Sequence, residues 1–249
     1  MFVSRINILN ISFDSTTASE ASERILTACQ SKNELPLTVV TPNPIMVMNA
    51  QKNEELFSAL SSADLSLADG VGIISAAKRM ETPLPERVTG IDAAYSVLQK
   101  LAEIAGSVYL FGAKPGGAEK AAERLTADLT GLRVVGTHHG YFEDDAEIIK
   151  DIFEKAPDLL VVCLGSPRQE IWVHQNKEKL SGVGAVMCLG GALDVWSGNI
   201  KRAPSFFIKM HLEWLWRMLC EPKRMKELSK MIKFRILTGK SRQNQKSFK

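Results

Sequence analysis

Leu159-Leu160-Val161-Val162-Cys163-Leu164 runs without a polar residue into Gly165-Ser166-Pro167-Arg168-Gln169-Glu170. An unbroken apolar run of this length reads as a strand buried on both faces, which is how parallel sheets look in sequence. The cluster behind it, with Pro167 suited to a first helical turn, reads as the turn into a helix. Four more stretches repeat the pattern. Leu37-Thr38-Val39-Val40 meets Thr41-Pro42-Asn43, and Leu65-Ser66-Leu67-Ala68 meets Asp69-Gly70. Val108-Tyr109-Leu110 meets the loop Phe111 to Gly117, and Ala185 to Leu189 meets Gly190-Gly191 and then Asp194. Open α/β sheets bind ligands beyond the carboxyl ends of their strands. If these runs are neighbours, Thr41, Asn43, Asp69, Gln169 and Asp194 gather on one edge.

Helical patterns fill the intervals. Helices are expected from about Ser15-Thr16-Thr17, from Ile45 to Leu60, and near 91–104, 116–129, 144–155 and 167–180, with a first strand in Ile6 to Ile11. Alternation of this kind predicts an α/β, Rossmann-like sandwich with a mostly parallel sheet. The expected organisation is a catalytic domain over 1–199, a basic amphipathic helical appendage over 200–238, and a disordered tail over 239–249.

The chain has 249 residues, 45% of them hydrophobic and 24% charged, which suits a globular protein with a sizeable core. No apolar run approaches the roughly 18–20 residues that span a bilayer. Cys29, Cys163, Cys188 and Cys220 are far apart in sequence and read as buried thiols in a reducing compartment. The net charge of +3 conceals an asymmetry. Residues 201–249 hold 14 Lys/Arg against 3 Asp/Glu, while the remainder holds 17 against 25. An acidic body carrying a basic arm calls for an anionic partner. In the arm, Met225, Leu228, Met231, Ile232 and Ile236 fall on one helical stripe, with Lys223, Lys226, Lys230 and Lys233 on the other side and Arg224 and Arg235 beside it. That pattern reads as a membrane-surface helix or as a helix docked on the body with a solvated lysine face.

Several residue clusters have the chemistry of a site. A carboxylate at a strand end, Asp69, can accept a proton from a hydroxyl, or it can cap a turn with Gly70. Arg87-Val88-Thr89-Gly90 can offer charge and helix N–H groups to an anion, or serve as a plain capping turn. The loop containing Gly112 is neither a dinucleotide fingerprint nor a P-loop, so it is a nucleotide-contacting turn or simply a tight one. Arg168, Gln169 and Glu170 beside Gly165 exceed what capping needs, and Gly190-Gly191 permits close backbone approach with Asp194 near enough to bind ribose hydroxyls. No His or Cys spacing suits a metal, and the Asp-x-Asp pair that many nucleotide-sugar enzymes use to hold a divalent metal is missing. A departing diphosphate would then need arginines and helix N-termini to stabilise it.

In this order, Thr41-Pro42-Asn43, Ala68-Asp69-Gly70, Arg87-Val88-Thr89-Gly90, Gly165 to Glu170, Gly190-Gly191 with Asp194, Arg202-Ala203-Pro204, Glu213-Trp214 and Glu221-Pro222 resemble the WecG/TagA/CpsF family of bacterial glycosyltransferases. The resemblance runs from about Ile6 to Ile236. It implies an inverting hexosyltransferase, metal-independent and without a cofactor, that moves N-acetylmannosamine or a related sugar from a UDP donor. The implied acceptor is linked to undecaprenyl diphosphate, in teichoic acid or other surface polysaccharide synthesis. The implied location is the inner face of the bacterial plasma membrane, attached peripherally to an anionic surface. By resemblance Asp69 is the general base, with Arg87 and Gln169 as further catalytic positions. Thr41, Asn43, Gly112, Gly165, Arg168, Glu170, Gly190, Gly191 and Asp194 are expected around the donor, and Arg217 and Arg224 over the diphosphate. A UDP-glucose or UDP-N-acetylmannosaminuronic acid transferase of the same family is the alternative within this reading. A nicotinamide enzyme is disfavoured by the absent fingerprint, and a nucleic-acid binder by the arm's tryptophans, so no nucleic acid is expected. The oligomeric state is open, a homo-oligomer included.

Overall fold

The computed structural model describes residues 4–201, 203–204, 206–207, 210, 215–216 and 226–246, with side chains described as far as residue 239. The chain opens with an antiparallel hairpin, β1 (Arg5–Ile8) and β2 (Ile11–Asp14). Its two-residue turn places both Leu9 and Asn10 at positive φ, 51° and 65°, the backbone a tight hairpin requires. The single first strand expected over Ile6 to Ile11 is therefore two strands outside the main sheet. Helix α1 (Ala18–Ser31) starts where the sequence points: Thr17 and Glu20 form a reciprocal capping box.

The five apolar runs become β3 (Leu37–Val40), β4 (Leu65–Ser66), β5 (Ser107–Gly112), β7 (Leu159–Cys163) and β8 (Ala185–Cys188). With β6 (Arg133–His138) they form one parallel sheet in the order β4-β3-β8-β7-β5-β6. Successive side chains point to opposite faces, and the core divides accordingly. Leu160, Val162, Val186, Cys188, Tyr109 and Phe111 belong to one apolar layer. Leu159, Val161, Ala185, Met187, Val108 and Leu110 belong to the other. The first layer is closed by α2 (Pro44–Ala50), α3 (Glu54–Ser61), α4 (Val71–Arg79), α7 (Ala146–Lys155) and α8 (Arg168–Asn176). The second is closed by α1, α5 (Gly90–Glu103), α6 (Gly117–Asp128) and α9 (Ala192–Trp196).

The helix expected from Ile45 to Leu60 is two helices. Asn53 adopts extended backbone, and its side chain accepts from Leu56 N–H to start α3 afresh. A last helix, α10 (Leu228–Lys246), packs on α2 and α4 and stays helical across the tail boundary expected at 239. Its apolar residues divide between two faces instead of forming one stripe. Phe234 and Thr238 are buried and Met231 and Leu237 half-buried, whereas Leu228, Ile232 and Ile236 are 39%, 54% and 53% exposed. Met225 of the expected stripe lies outside the described residues, as do Lys223, Arg224 and Cys220.

Candidate active site

Strand β3 hands the chain to α2 in one layer, while its neighbour β8 hands it to α9 in the other. Two adjacent strands whose connections leave in opposite directions open a crevice at their carboxyl ends. A cleft of about 770 Å³ lies at this edge, on a scale suited to a small-molecule ligand. Its wall includes Thr41, Asn43, Asp69, Gly165, Arg168, Gln169, Gly190, Gly191 and Asp194, so residues spread over 150 positions of sequence converge there.

Each is held by local chemistry. Thr41 is buried and its hydroxyl donates to the Cys188 carbonyl at 3.3 Å, joining the ends of β3 and β8. Gly90 must lack a side chain here, since a Cβ would come within 2.6 Å of Thr41 Cγ2. Asn43 caps α2, its Oδ1 accepting from Ile45 N–H at 3.0 Å and Met46 N–H at 3.1 Å, which commits the carbonyl end of the amide. Asp69 sits between β4 and α4 with its carboxylate about one-third exposed. Arg87 holds it twice: Nη2 lies 3.5 Å from Asp69 Oδ1, and Nε donates to the Asp69 backbone carbonyl. The backbone bond anchors the guanidinium, leaving the ion pair to orient the carboxylate.

At the far end, Arg168 donates to the Gly140 carbonyl at 2.7 Å and its guanidinium lies 4.3 Å from the Phe142 ring centroid. Gln169 and Glu170 are both buried. Glu170 lies beneath the cleft and is not on its wall, and burial pushes its carboxyl up from the usual range, against the opposing Gln169 bond. Gly112 is also behind the wall. It pairs with Cys163 in the sheet at φ 135°, and a Cβ there would sit 2.2 Å from the Cys163 carbonyl oxygen. Its neighbours Ala113 and Lys114 face the cleft in its place. Arg217 and Arg224 lie outside the described residues.

Cys29 and Cys163 have thiols pushed up to about 12, chiefly by burial. With Cys188 also buried, the three belong to the core, Cys163 at the border of the cleft.

The cleft also recruits residues that the strand-end reading passed over. Lys114 and Lys201 bring positive charge, and Tyr141, 63% exposed, stands at the rim just past β6. Along α2 the wall continues through Ile45, Met46 and Asn49, and Trp216 and Glu227 of the basic arm complete it. Lys114 was visible in the glycine loop. Tyr141 follows a strand, Arg133–His138, that is half-exposed at the sheet edge and so carries no continuous apolar run.

The model of the glycosyl transferase WecG/TagA/CpsF family matches residues 6–247. A Bacillus spizizenii protein named N-acetylglucosaminyldiphosphoundecaprenol N-acetyl-beta-D-mannosaminyltransferase is 37% identical over 196 residues, 79% of this chain and 76% of its own. Proteins of the same name from Bacillus subtilis strain 168 and Staphylococcus aureus strain NCTC 8325 are each 31% identical, covering 84% and 98% of this chain and 82% and 96% of their own. With the match spanning both the parallel sheet and the basic arm, the chain belongs to the WecG/TagA/CpsF family of glycosyl transferases and is a hexosyltransferase.

Proposed function

We propose that the chain transfers N-acetylmannosamine, with inversion, from a UDP donor to N-acetylglucosaminyl-diphospho-undecaprenol in surface polysaccharide or teichoic acid synthesis. The supporting observation is Asp69 on the wall of the cleft, held by Arg87, which is not itself on the wall, with glycine turns and the cations Lys114, Arg168 and Lys201 around it. The relatives' shared name supplies the sugar and the acceptor. Asp69 takes the proton from the acceptor hydroxyl while that oxygen bonds to the anomeric carbon. The bond from that carbon to the diphosphate breaks on the opposite face, and UDP leaves with the electron pair. One base and one in-line displacement invert the configuration without a covalent intermediate.

The leaving group's charge falls to Arg87, Lys114 and Lys201, joined by Arg217 and Arg224 of the arm. Asp194 beside Gly190 and Gly191 is assigned to the ribose hydroxyls. Metal independence belongs to this proposal because the sequence lacks Asp-x-Asp; EDTA should leave the rate unchanged. Among the described residues no helix is long and apolar enough to cross a membrane. The lipid-linked acceptor is instead met at the surface, through the outward face of α10 and its lysines.

Asp69→Asn tests the base. With purified enzyme, UDP-sugar and lipid-linked acceptor, kcat should fall by about 10²–10⁴-fold with the donor KM little changed. Turnover within a few fold of wild type would remove Asp69 from this role. A panel of UDP-N-acetylmannosamine, UDP-glucose and UDP-N-acetylmannosaminuronic acid identifies the donor.

A further inference from the structure

Gln169 occupies an unusual position for a residue on a substrate cleft, since both ends of its amide are engaged by the protein. Its Oε1 accepts from Gly165 N–H at 3.2 Å and from Gly190 N–H at 2.9 Å. Its Nε2 donates to Glu170 Oε1 at 2.6 Å. One side-chain carbonyl therefore ties the second residues of two neighbouring loops, the β7–α8 loop and the β8–α9 loop. Gly165 and Gly190 hold φ of 77° and 58°, yet among the described residues neither has an atom beyond its own chain neighbours within 4 Å of where a Cβ would be. Their turns are shaped by backbone conformation and by this shared acceptor, not by crowding.

A carboxamide can rotate by half a turn and present its NH₂ where its oxygen was. That orientation would set NH₂ against two N–H donors and leave both glycine amides unpaired. Glu170 in its ionised form opposes it, because a carboxylate only accepts and so pairs with the NH₂ end. The Glu170 side chain is 2% exposed overall and its Oε2 has no hydrogen-bond partner among the described residues. It is placed to act on Gln169, with the Ser166 hydroxyl as its other neighbour.

We infer that Glu170 is a positioning residue: it locks the Gln169 amide in the one orientation that clamps Gly165 to Gly190, and the clamp sets the spacing of the two loops that receive the sugar nucleotide. Gln169 then serves through the loops and not by touching the reacting atoms. The inference rests on the proposed UDP-sugar function for what the loops hold, but the clamp itself can be read without a ligand.

A residue swap tests it. Gln169→Glu alone sets two carboxylates against each other in a buried site. It should raise the Kd for UDP and the donor KM at least tenfold, and speed hydrogen exchange at the Gly165 and Gly190 amides at least tenfold. In Gln169→Glu/Glu170→Gln, a carboxylate at 169 can still accept both glycine N–H groups and the NH₂ of the new amide. UDP affinity, kcat/KM and exchange should return to within about threefold of wild type. Glu170→Gln alone can offer its own NH₂ as well as its oxygen, so the lock is lost: exchange at both glycine amides should quicken by about threefold or more and UDP binding should weaken, and wild-type values for both would overturn the role given to Glu170. A swap as impaired as the single Gln169→Glu variant would overturn the inference, because the amide at 169 would then be needed for itself. Unchanged exchange at both glycines in Gln169→Glu would overturn it equally. If exchange follows the predicted pattern while wild type binds no UDP, the clamp stands and the donor assignment fails.

Discussion

At the scale of single residues, the glycines of the cleft divide into two kinds that sequence cannot separate. Gly112 lies behind the wall, where a Cβ would collide with the Cys163 carbonyl and φ is 135°. Gly191 is on the wall at φ −93°, with open space around a would-be Cβ. Gly112→Ala must move two paired strands apart, so it should cost about 3 kcal/mol or more and lower Tm by roughly 6–12 °C. Gly191→Ala should leave Tm within about 2 °C while weakening donor binding, because its new methyl group points into space the ligand needs. Scanning calorimetry and UDP titration of both variants check the contrast. If Gly191→Ala binds UDP normally, that turn does not touch the donor. The acid at 69 was legible because a lone carboxylate at a strand end is conspicuous, but its partner was not. Arg87 is eighteen residues away, and only the fold brings the two side chains together.

At the scale of elements, the amino ends of the strands show a repeated device. Asp64, just before β4, accepts from the N–H and hydroxyl of Thr38 in β3, at 2.8 and 2.7 Å, and pairs with Lys177 at 2.7 Å. Asp158, just before β7, does the same to Ser107 in β5, at 2.7 and 2.8 Å, and pairs with Lys32 at 2.9 Å. Burial pushes both carboxyls up, but the lysine and strand hydrogen bonds outweigh it and hold both below the usual range. A group with a depressed folded pKa contributes stability that is present above its unfolded pKa and lost as pH falls through the folded value. The urea midpoint should therefore fall as pH drops below about 4, and Asp64→Asn with Asp158→Asn should flatten that acid limb while lowering the midpoint at pH 7. An equally steep limb in the double variant would assign acid sensitivity elsewhere. Neither clamp was legible, since each joins strands by side chains far apart in sequence. The strands themselves were, because burial on both faces demands apolar runs. β6 was fainter, because an edge strand does not and only Val134-Val135 of it is apolar, and α4 escaped because Val71–Arg79 is short and follows the turn at Gly70 directly.

At the scale of the whole molecule, α10 joins the catalytic edge to whatever lies outside the protein. Its inner face presses Phe234 and Thr238 onto α2 and α4, the two helices that leave the Asn43 and Asp69 turns. Arg79 of α4 donates to the Thr238 hydroxyl at 2.9 Å, and its guanidinium is held below its usual pKa by burial and by the neighbouring Arg235. Phe234 lies between Lys233 and Arg235 in sequence, which concealed the anchor within a basic run. With Phe234 turned inward, Leu228, Ile232 and Ile236 recur every four residues on a different, outward face, and Lys226, Lys230 and Lys233 are exposed beside them. Such a face binds an anionic bilayer by burying its apolar residues while its lysines meet the headgroups. Each half-exposed isoleucine offers about 1 kcal/mol of burial, so Ile232→Ser/Ile236→Ser should weaken sedimentation with anionic vesicles by roughly thirtyfold. Because both side chains point away from the body, Tm and UDP affinity should stay at wild-type values. Phe234→Ala should behave oppositely: it loosens α10 from α2 and α4, so UDP affinity falls even without vesicles. If the isoleucine pair leaves sedimentation unchanged, α10 is a brace for the cleft alone, and the acceptor must reach Asp69 by another surface.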